Sequence, residues 1–117
     1  MSPTARSLEL LREMSYTAQV VEYYNNFSKK RVDLFHCIDI VAAHPELGIL
    51  GVQATTGSHH ATRWKKAITC PVYAWLKGGA HLQIWSWSKK GKQGERKVWT
   101  VRVQQVLLGD LVDEAIS

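Results

Sequence analysis

Cysteine, proline and long apolar runs are scarce in this chain of 117 residues, and acids nearly vanish from one long stretch of it. No apolar segment approaches the roughly 20 residues that a membrane-crossing helix needs, so no membrane partner is expected. The only cysteines, Cys37 and Cys70, sit in apolar segments. One possible pair is too few for a disulfide framework, and two buried reduced thiols are the expectation. Behind Met1-Ser2-Pro3-Thr4-Ala5-Arg6 there is no apolar signal core; a cytoplasmic protein is expected. Repeats and low-complexity segments are absent, and the length suits a single domain over residues 1–117.

The missing acids say more. From Gly57 to Arg102 there are ten Lys and Arg against one acid, Glu95, whereas residues 1–56 hold five basic and six acidic residues. Residues 103–117 hold three acids and no Lys or Arg. The net charge of +5 is therefore concentrated in the middle-to-late chain. That distribution suits a polyanion such as DNA, or else a solvated face without a partner. Nothing resembles a recognition helix or a zinc finger, so phosphate contacts without sequence readout are expected.

Ser2-Pro3-Thr4 marks a helix start. Ala5, Leu8, Leu11 and Arg12 follow at helical spacing, to about Met14-Ser15. Thr17 to Tyr24 is β-rich, Asn25 to Ser28 a turn, and Lys29-Lys30-Arg31 a basic link. Asp33–Ala43 and Ile49–Thr56 read as strands joined through His44-Pro45-Glu46-Leu47-Gly48. Gly57-Ser58 stops the third strand and offers an N-cap to a helix running to about Ile68. One stripe of that helix is Ala61, Trp64, Ala67 and Ile68; another is His59, Arg63 and Lys66. Pro71 introduces a fourth strand, Val72–Leu76. His81–Trp87 and Val98–Val106 form a C-terminal β-hairpin around the basic loop Ser88–Lys97, and Leu107–Ile116 is a short amphipathic tail. Helix, three strands, helix, strand and hairpin imply an α/β fold: a mixed sheet under helical cover.

Polar residues interrupt the second and third strands. Side chains alternate faces along a strand, so Gln53 and Thr55 share one face and Leu50, Val52 and Ala54 the other. Paired as a hairpin, the strands could bring the Asp39 carboxylate, the Gln53 amide and the Thr55 hydroxyl together. Buried polar groups are costly unless satisfied, and a metal ion with a phosphate would satisfy this set. The plainer alternatives are an Asp39 paired with Arg63 or Lys66, and a Gln53 and Thr55 on a solvated sheet face.

This order, with these residues, resembles the PD-(D/E)XK nuclease superfamily over roughly residues 5–87. The likeness is to Holliday-junction resolvases and compact phage and bacterial repair nucleases. It implies a restriction-endonuclease-like α-β-β-β-α-β core and a metal-dependent DNA endonuclease acting on structured or double-stranded DNA. By position, Asp39 would bind the metal, and Gln53-Ala54-Thr55 would stand where the family has acid-x-Lys. The Ala54 carbonyl would be a further ligand and Glu9 of the first helix the extra acid, with Glu22 competing for that role. Mg2+ (or Mn2+) is the implied cofactor, DNA the partner, and a homodimer a possible assembly. The chain departs from the pattern at three points: Gln53 replaces an acid, Thr55 replaces the lysine, and no proline precedes Asp39. His59, His60, Arg63, Lys65 and Lys66 are available to replace the lysine, with His59 or Lys66 orienting or deprotonating water. Arg63, Lys65, Lys66, Lys89, Lys90, Lys92, Arg96 and Lys97 would hold the DNA backbone.

Two other readings remain open. The missing acid and lysine suit a nucleic-acid-binding domain that has lost catalysis. Trp85 and Trp87, sharing a strand face with His81 and Gln83, suit either core packing or a protein-interaction surface, as in a phage-encoded interaction module. A zinc site from His36, Cys37, His59, His60 and Cys70 has no tight ligand spacing behind it.

Overall fold

The structure is a computed structural model that describes residues 1–116. Pro3–Glu13 forms helix α1. Ser2 caps it, its Oγ accepting from the Ala5 N–H at 3.1 Å, and Pro3 sits in the first turn, where its missing N–H is not needed. Then come β1 (Thr17–Val20), β2 (Tyr23–Asn25), β3 (Lys30–Val32), β4 (Ile40–His44) and β5 (Gly48–Thr56). A 3-10 turn at Gly57–His59 leads into α2 (His60–Ala67) and α3 (Tyr73–Lys77). β6 (His81–Lys90), β7 (Val98–Val106), a second 3-10 turn and α4 (Asp113–Ile116) complete the described chain. No helix among the described residues is long and apolar enough to cross a membrane.

Five strands form one mixed sheet in the order β1-β4-β5-β6-β7. β1, β4 and β5 are an antiparallel meander, β6 lies parallel to β5, and β7 returns antiparallel to β6. A parallel pair needs a crossover, and α2 and α3 provide it. The expected α/β class and mixed sheet are thus present.

Each sheet face carries its own core. Leu11 and Leu8 of α1 cover Ile40, Ala42, Leu50, Val52, Trp85 and Trp87. The opposite face packs Ile38, Leu82, Ile84 and Val106 against Ala67, Cys70, Val72 and the C-terminal Leu111 and Ala115. Gly51 makes room on β5 for Ile38, since a Cβ there would come within 2.9 Å of the Ile38 Cδ1. His60 fastens α2 to the C-terminal hairpin. Its Nε2–H donates to the Gln104 Oε1 at 2.6 Å, which leaves Nδ1 to accept from the Ser86 hydroxyl.

Three strand expectations fail. Thr17–Tyr24 is not one strand, because the chain turns at Val21-Glu22, and the supposed basic link Lys30-Arg31 becomes β3 of a separate two-stranded sheet with β2. The second strand begins only at Ile40, since Phe35 and His36 adopt left-handed φ values of 52° and 68° and fold residues 34–38 into a tight turn. Val72–Leu76 is not a strand. Val72, Tyr73, Trp75 and Leu76 all face the core, a helical spacing that β-favouring residue types disguised. The fourth core strand is His81–Lys90 instead, and it absorbs Ser88–Lys90 of the supposed loop. Of the two readings left open for Trp85 and Trp87, the core holds, since they are 2% and 8% exposed beneath α1.

Trp87 illustrates how α1 is held. Its indole N–H donates to the buried Ser7 Oγ at 2.8 Å, and that hydroxyl donates to the Pro3 carbonyl at 2.8 Å. Ser7→Ala orphans a buried N–H and is expected to lower unfolding free energy by about 1–3 kcal/mol in urea denaturation. Trp87→Phe added to Ser7→Ala removes the orphaned donor, so the double variant should lose less than the sum of the two single changes.

Candidate metal and phosphate site

Leu34 and Ile38 form an isolated antiparallel bridge around the Phe35-His36 turn. In that register Asp33 and Asp39 stand directly opposite one another. Asp39 is then fixed through its backbone. Its N–H donates to the Val52 carbonyl at 2.9 Å, and its own carbonyl accepts from Val21 N–H at 2.8 Å and Glu22 N–H at 3.4 Å. The second pair of bonds draws Glu22 to the same place. Carboxylate oxygens of Glu22, Asp33 and Asp39 all lie within 4.8 Å of one another, and these residues are the one such ligand-bearing group among the described residues.

The strand β4 begins only at Ile40, opposite Val52, while β5 continues to Thr56, so Ala54 has no β4 partner. The Asp39 side chain takes the vacant position, its Oδ2 accepting from the Ala54 N–H at 2.9 Å. A cleft of about 250 Å³ opens there, lined by Thr4, Glu22, Arg31, Asp33, Asp39, Ala54, Arg63 and Lys66. Lys66 Nζ lies 3.2 Å from the Asp33 Oδ2, Arg31 lies 3.7 Å from the Glu22 Oε1, and the Thr4 hydroxyl is 3.5 Å from that same oxygen.

Among the described residues no cation forms an ion pair with Asp39. Burial pushes its carboxyl up from 3.8 to about 8. The Ala54 N–H opposes the shift, while the charges of Asp33 and Glu22 and a hydrogen bond to Asp33 add to it. Three oxygen donors in such proximity fit a hard divalent cation such as Mg2+ or Mn2+. Glu22, Asp33 and Asp39 would hold it, beside the Ala54 backbone.

Several expected residues gather here and several do not. Asp39, Ala54, Arg63 and Lys66 line the cleft, and of the two competing acids Glu22 lies in it and Glu9 does not. Glu9 points from the exposed side of α1 toward a different hollow, shared with Arg6, Glu13 and Trp87. Gln53 and Thr55 do share a face, but it is the α2 face of β5, where they are 1% and 5% exposed and do not line the cleft. The Gln53 Oε1 is buried without a hydrogen-bond partner. His59 is exposed and bonds Thr56 Oγ1 at 2.8 Å, whereas His60 is withdrawn into the His60-Ser86-Gln104 clamp. Cys37 and Cys70 are buried free thiols in mutual contact, and no zinc set of histidines and cysteines forms among the described residues. Reading the sequence missed Asp33, Arg31 and Thr4.

The other basic residues are solvent-facing. Lys65 is exposed on α2, and Lys89, Lys90, Lys92, Arg96 and Lys97 are exposed at the end of β6 and in the following loop. Because β5 and β6 run parallel, this loop and the cleft lie at the same end of the sheet. Trp99 stands beside the loop, with the Arg6 guanidinium 3.8 Å and Lys89 Nζ 5.3 Å from its ring centre.

The Asp39 shift has a defined sign. Between about pH 4 and pH 8 the folded chain holds a proton at this carboxyl that the unfolded chain releases. Metal-free stability gained from this group is therefore full below about pH 4 and declines as pH rises toward 8. Urea midpoints measured across that range should fall with pH, and Asp39→Asn should flatten the dependence. Compared with known proteins, the chain matches no family model, no curated protein and no solved structure.

Proposed function

We propose that this chain is a metal-dependent endonuclease that hydrolyses phosphodiesters in structured or double-stranded DNA. The observation that carries the reading is the trio Glu22, Asp33 and Asp39, gathered within 4.8 Å in a cleft whose rim is Arg31, Arg63 and Lys66. The element order supports it as well. A helix, a three-strand antiparallel meander, a helical crossover and a parallel strand accord with an α-β-β-β-α-β order like that of restriction endonucleases, if β2–β3 is taken as an insertion. A cytoplasmic setting accords with the two free thiols.

Charge explains the pairing of acids with bases. Three acids and three cations line the cleft, with Lys66 paired to Asp33 and Arg31 to Glu22. A divalent ion held by the carboxylates would free Lys66 from Asp33 and Arg31 from Glu22, and both cations could then turn to a phosphate. The ion supplies charge neutralisation at the phosphate and lowers the pKa of a water molecule. Lys66, which lines the cleft, would orient that water in place of the lysine absent at Thr55. Arg63 and Arg31 fix the phosphate, and the Ala54 N–H holds the Asp39 carboxylate in register. The basic loop at the same end of the sheet would carry the backbone of the duplex. A binding domain without catalysis is the second reading, favoured by Gln53, which keeps an amide on the α2 face where the family has an acid.

The test is cleavage of labelled duplex, flap and four-way-junction DNA with Mg2+ or Mn2+. Asp39→Ala should abolish cutting, and Lys66→Ala should slow it by about 100-fold or more. Mn2+ binding followed by electron paramagnetic resonance gives a readout independent of turnover, and it should be lost in Asp33→Asn/Asp39→Asn. Metal-independent DNA binding with no cutting of any substrate would leave the second reading.

A further inference from the structure

The β2–β3 hairpin stands apart from the five-strand sheet, and its composition is unlike the rest of the surface. Tyr23 and Tyr24 are 56% and 53% exposed, and Phe27 at the tip is 102% exposed. Lys29, Lys30 and Arg31 are exposed on the returning side. A fully exposed phenylalanine contributes nothing to the core. The tip is nevertheless built rather than loose. Asn25 Oδ1 accepts from the Phe27 N–H at 2.9 Å and the Ser28 N–H at 3.2 Å, and Lys29 turns the chain with a left-handed φ of 56°.

The hairpin is also rooted in the acidic cleft. Glu22, immediately before β2, is one of the three gathered acids, and its N–H bonds the Asp39 carbonyl. Arg31 of β3 lines the cleft, and Tyr24 is its partner across the ribbon. Residues directly opposite on an antiparallel pair share a face, so an exposed aromatic ring sits beside a cleft-lining guanidinium.

Exposed rings beside consecutive cations match unpaired nucleotides, whose bases offer free π-faces and whose backbone offers phosphates. A continuous duplex offers the phosphates alone, because its bases are stacked on one another. We infer that β2–β3 is a base-stacking ribbon that binds unpaired nucleotides next to the cleft. The preferred DNA is then one in which single strand meets duplex, such as a splayed fork. This inference rests on the nuclease reading of the cleft for its substrate, but binding tests it separately from cutting.

The experiment is fluorescence anisotropy in EDTA with a splayed fork and a fully paired duplex of equal length, together with 2-aminopurine placed at the fork branch point. The wild-type chain should prefer the fork and change the 2-aminopurine signal. Phe27→Ala and Tyr24→Ala should each weaken fork binding by about fivefold or more. Duplex binding should change less than about twofold, and the 2-aminopurine response should be reduced. Both side chains are exposed, so melting temperatures should be unchanged. Lys29→Ala/Lys30→Ala should weaken both DNAs and lower their salt dependence. Fork affinity unaltered in Phe27→Ala overturns the ribbon. So does binding to phosphatidylserine vesicles that Phe27→Ala abolishes while fork binding stays intact. A fork preference that Phe27→Ala removes, in a chain that cuts no DNA, would uphold the ribbon and sink the nuclease reading. Cutting lost in Asp39→Ala with the fork preference untouched by Phe27→Ala would do the reverse.

Discussion

Asp39 is the point at which the structure is tied together. Its N–H joins β5, its carbonyl receives the chain as it leaves β1, and its carboxylate occupies the position on β5 that β4 vacates. Three segments distant in sequence thus meet on one residue. The same bonds that end the strand create the cleft, because a side chain standing in for a strand fills only one hydrogen-bonding position and leaves open space beyond it. Ala54 participates through its backbone, so its small side chain is no handicap there.

The arrangement carries an electrostatic cost. Opposing carboxylates across an antiparallel pair repel, and Asp33 faces Asp39 in that way. Burial makes the repulsion stronger than it would be at the surface. Lys66 relieves Asp33 and Arg31 relieves Glu22, but Asp39 is left to hold a proton or to share a cation. Left-handed backbone at Phe35 and His36 adds a cost typical of strained positions, about 1–3 kcal/mol each. Phe35 recovers part of it by packing edge-on against Trp75, with ring centres 6.0 Å apart.

Much of the frame could be read from residue pattern. The capped first helix, the Ile40–Thr56 hairpin, the helix after Gly57 and the C-terminal hairpin all follow from periodicity and turn chemistry. Asp39, Ala54, Arg63 and Lys66 were also legible, because their positions depend on those same regular elements. What escaped was local irregularity. Asp33 lies opposite Asp39 only because two residues without glycine's freedom turn left-handed, and no residue type in Asp33-Leu34-Phe35-His36-Cys37-Ile38-Asp39 announces such a turn. Gln53 and Thr55 do share a face of β5, but that face is buried under α2 and neither lines the cleft. Val72–Leu76 was misread because its residue types favour strands while its spacing is helical. The helical spacing was the better guide, as tertiary burial outweighs propensity.

The parallel pairing of β5 with β6 bears on how the molecule comes into being. As the chain leaves the ribosome, α1 and the meander through Thr56 can form first, and Asp33, Asp39, Glu22 and Ala54 are already present in them. The partner of β5 arrives only after the segment from Gly57 to Ala80 has folded back, a closure whose entropy must be met before any β6 contact rewards it. Until then the 9 residues of β5 are an open edge, and the inner face of α1 lacks Trp85 and Trp87. A nascent chain paused there would be held by a half-built core and exposed to pairing with its neighbours. The order of synthesis thus builds the acids before the core that shelters them.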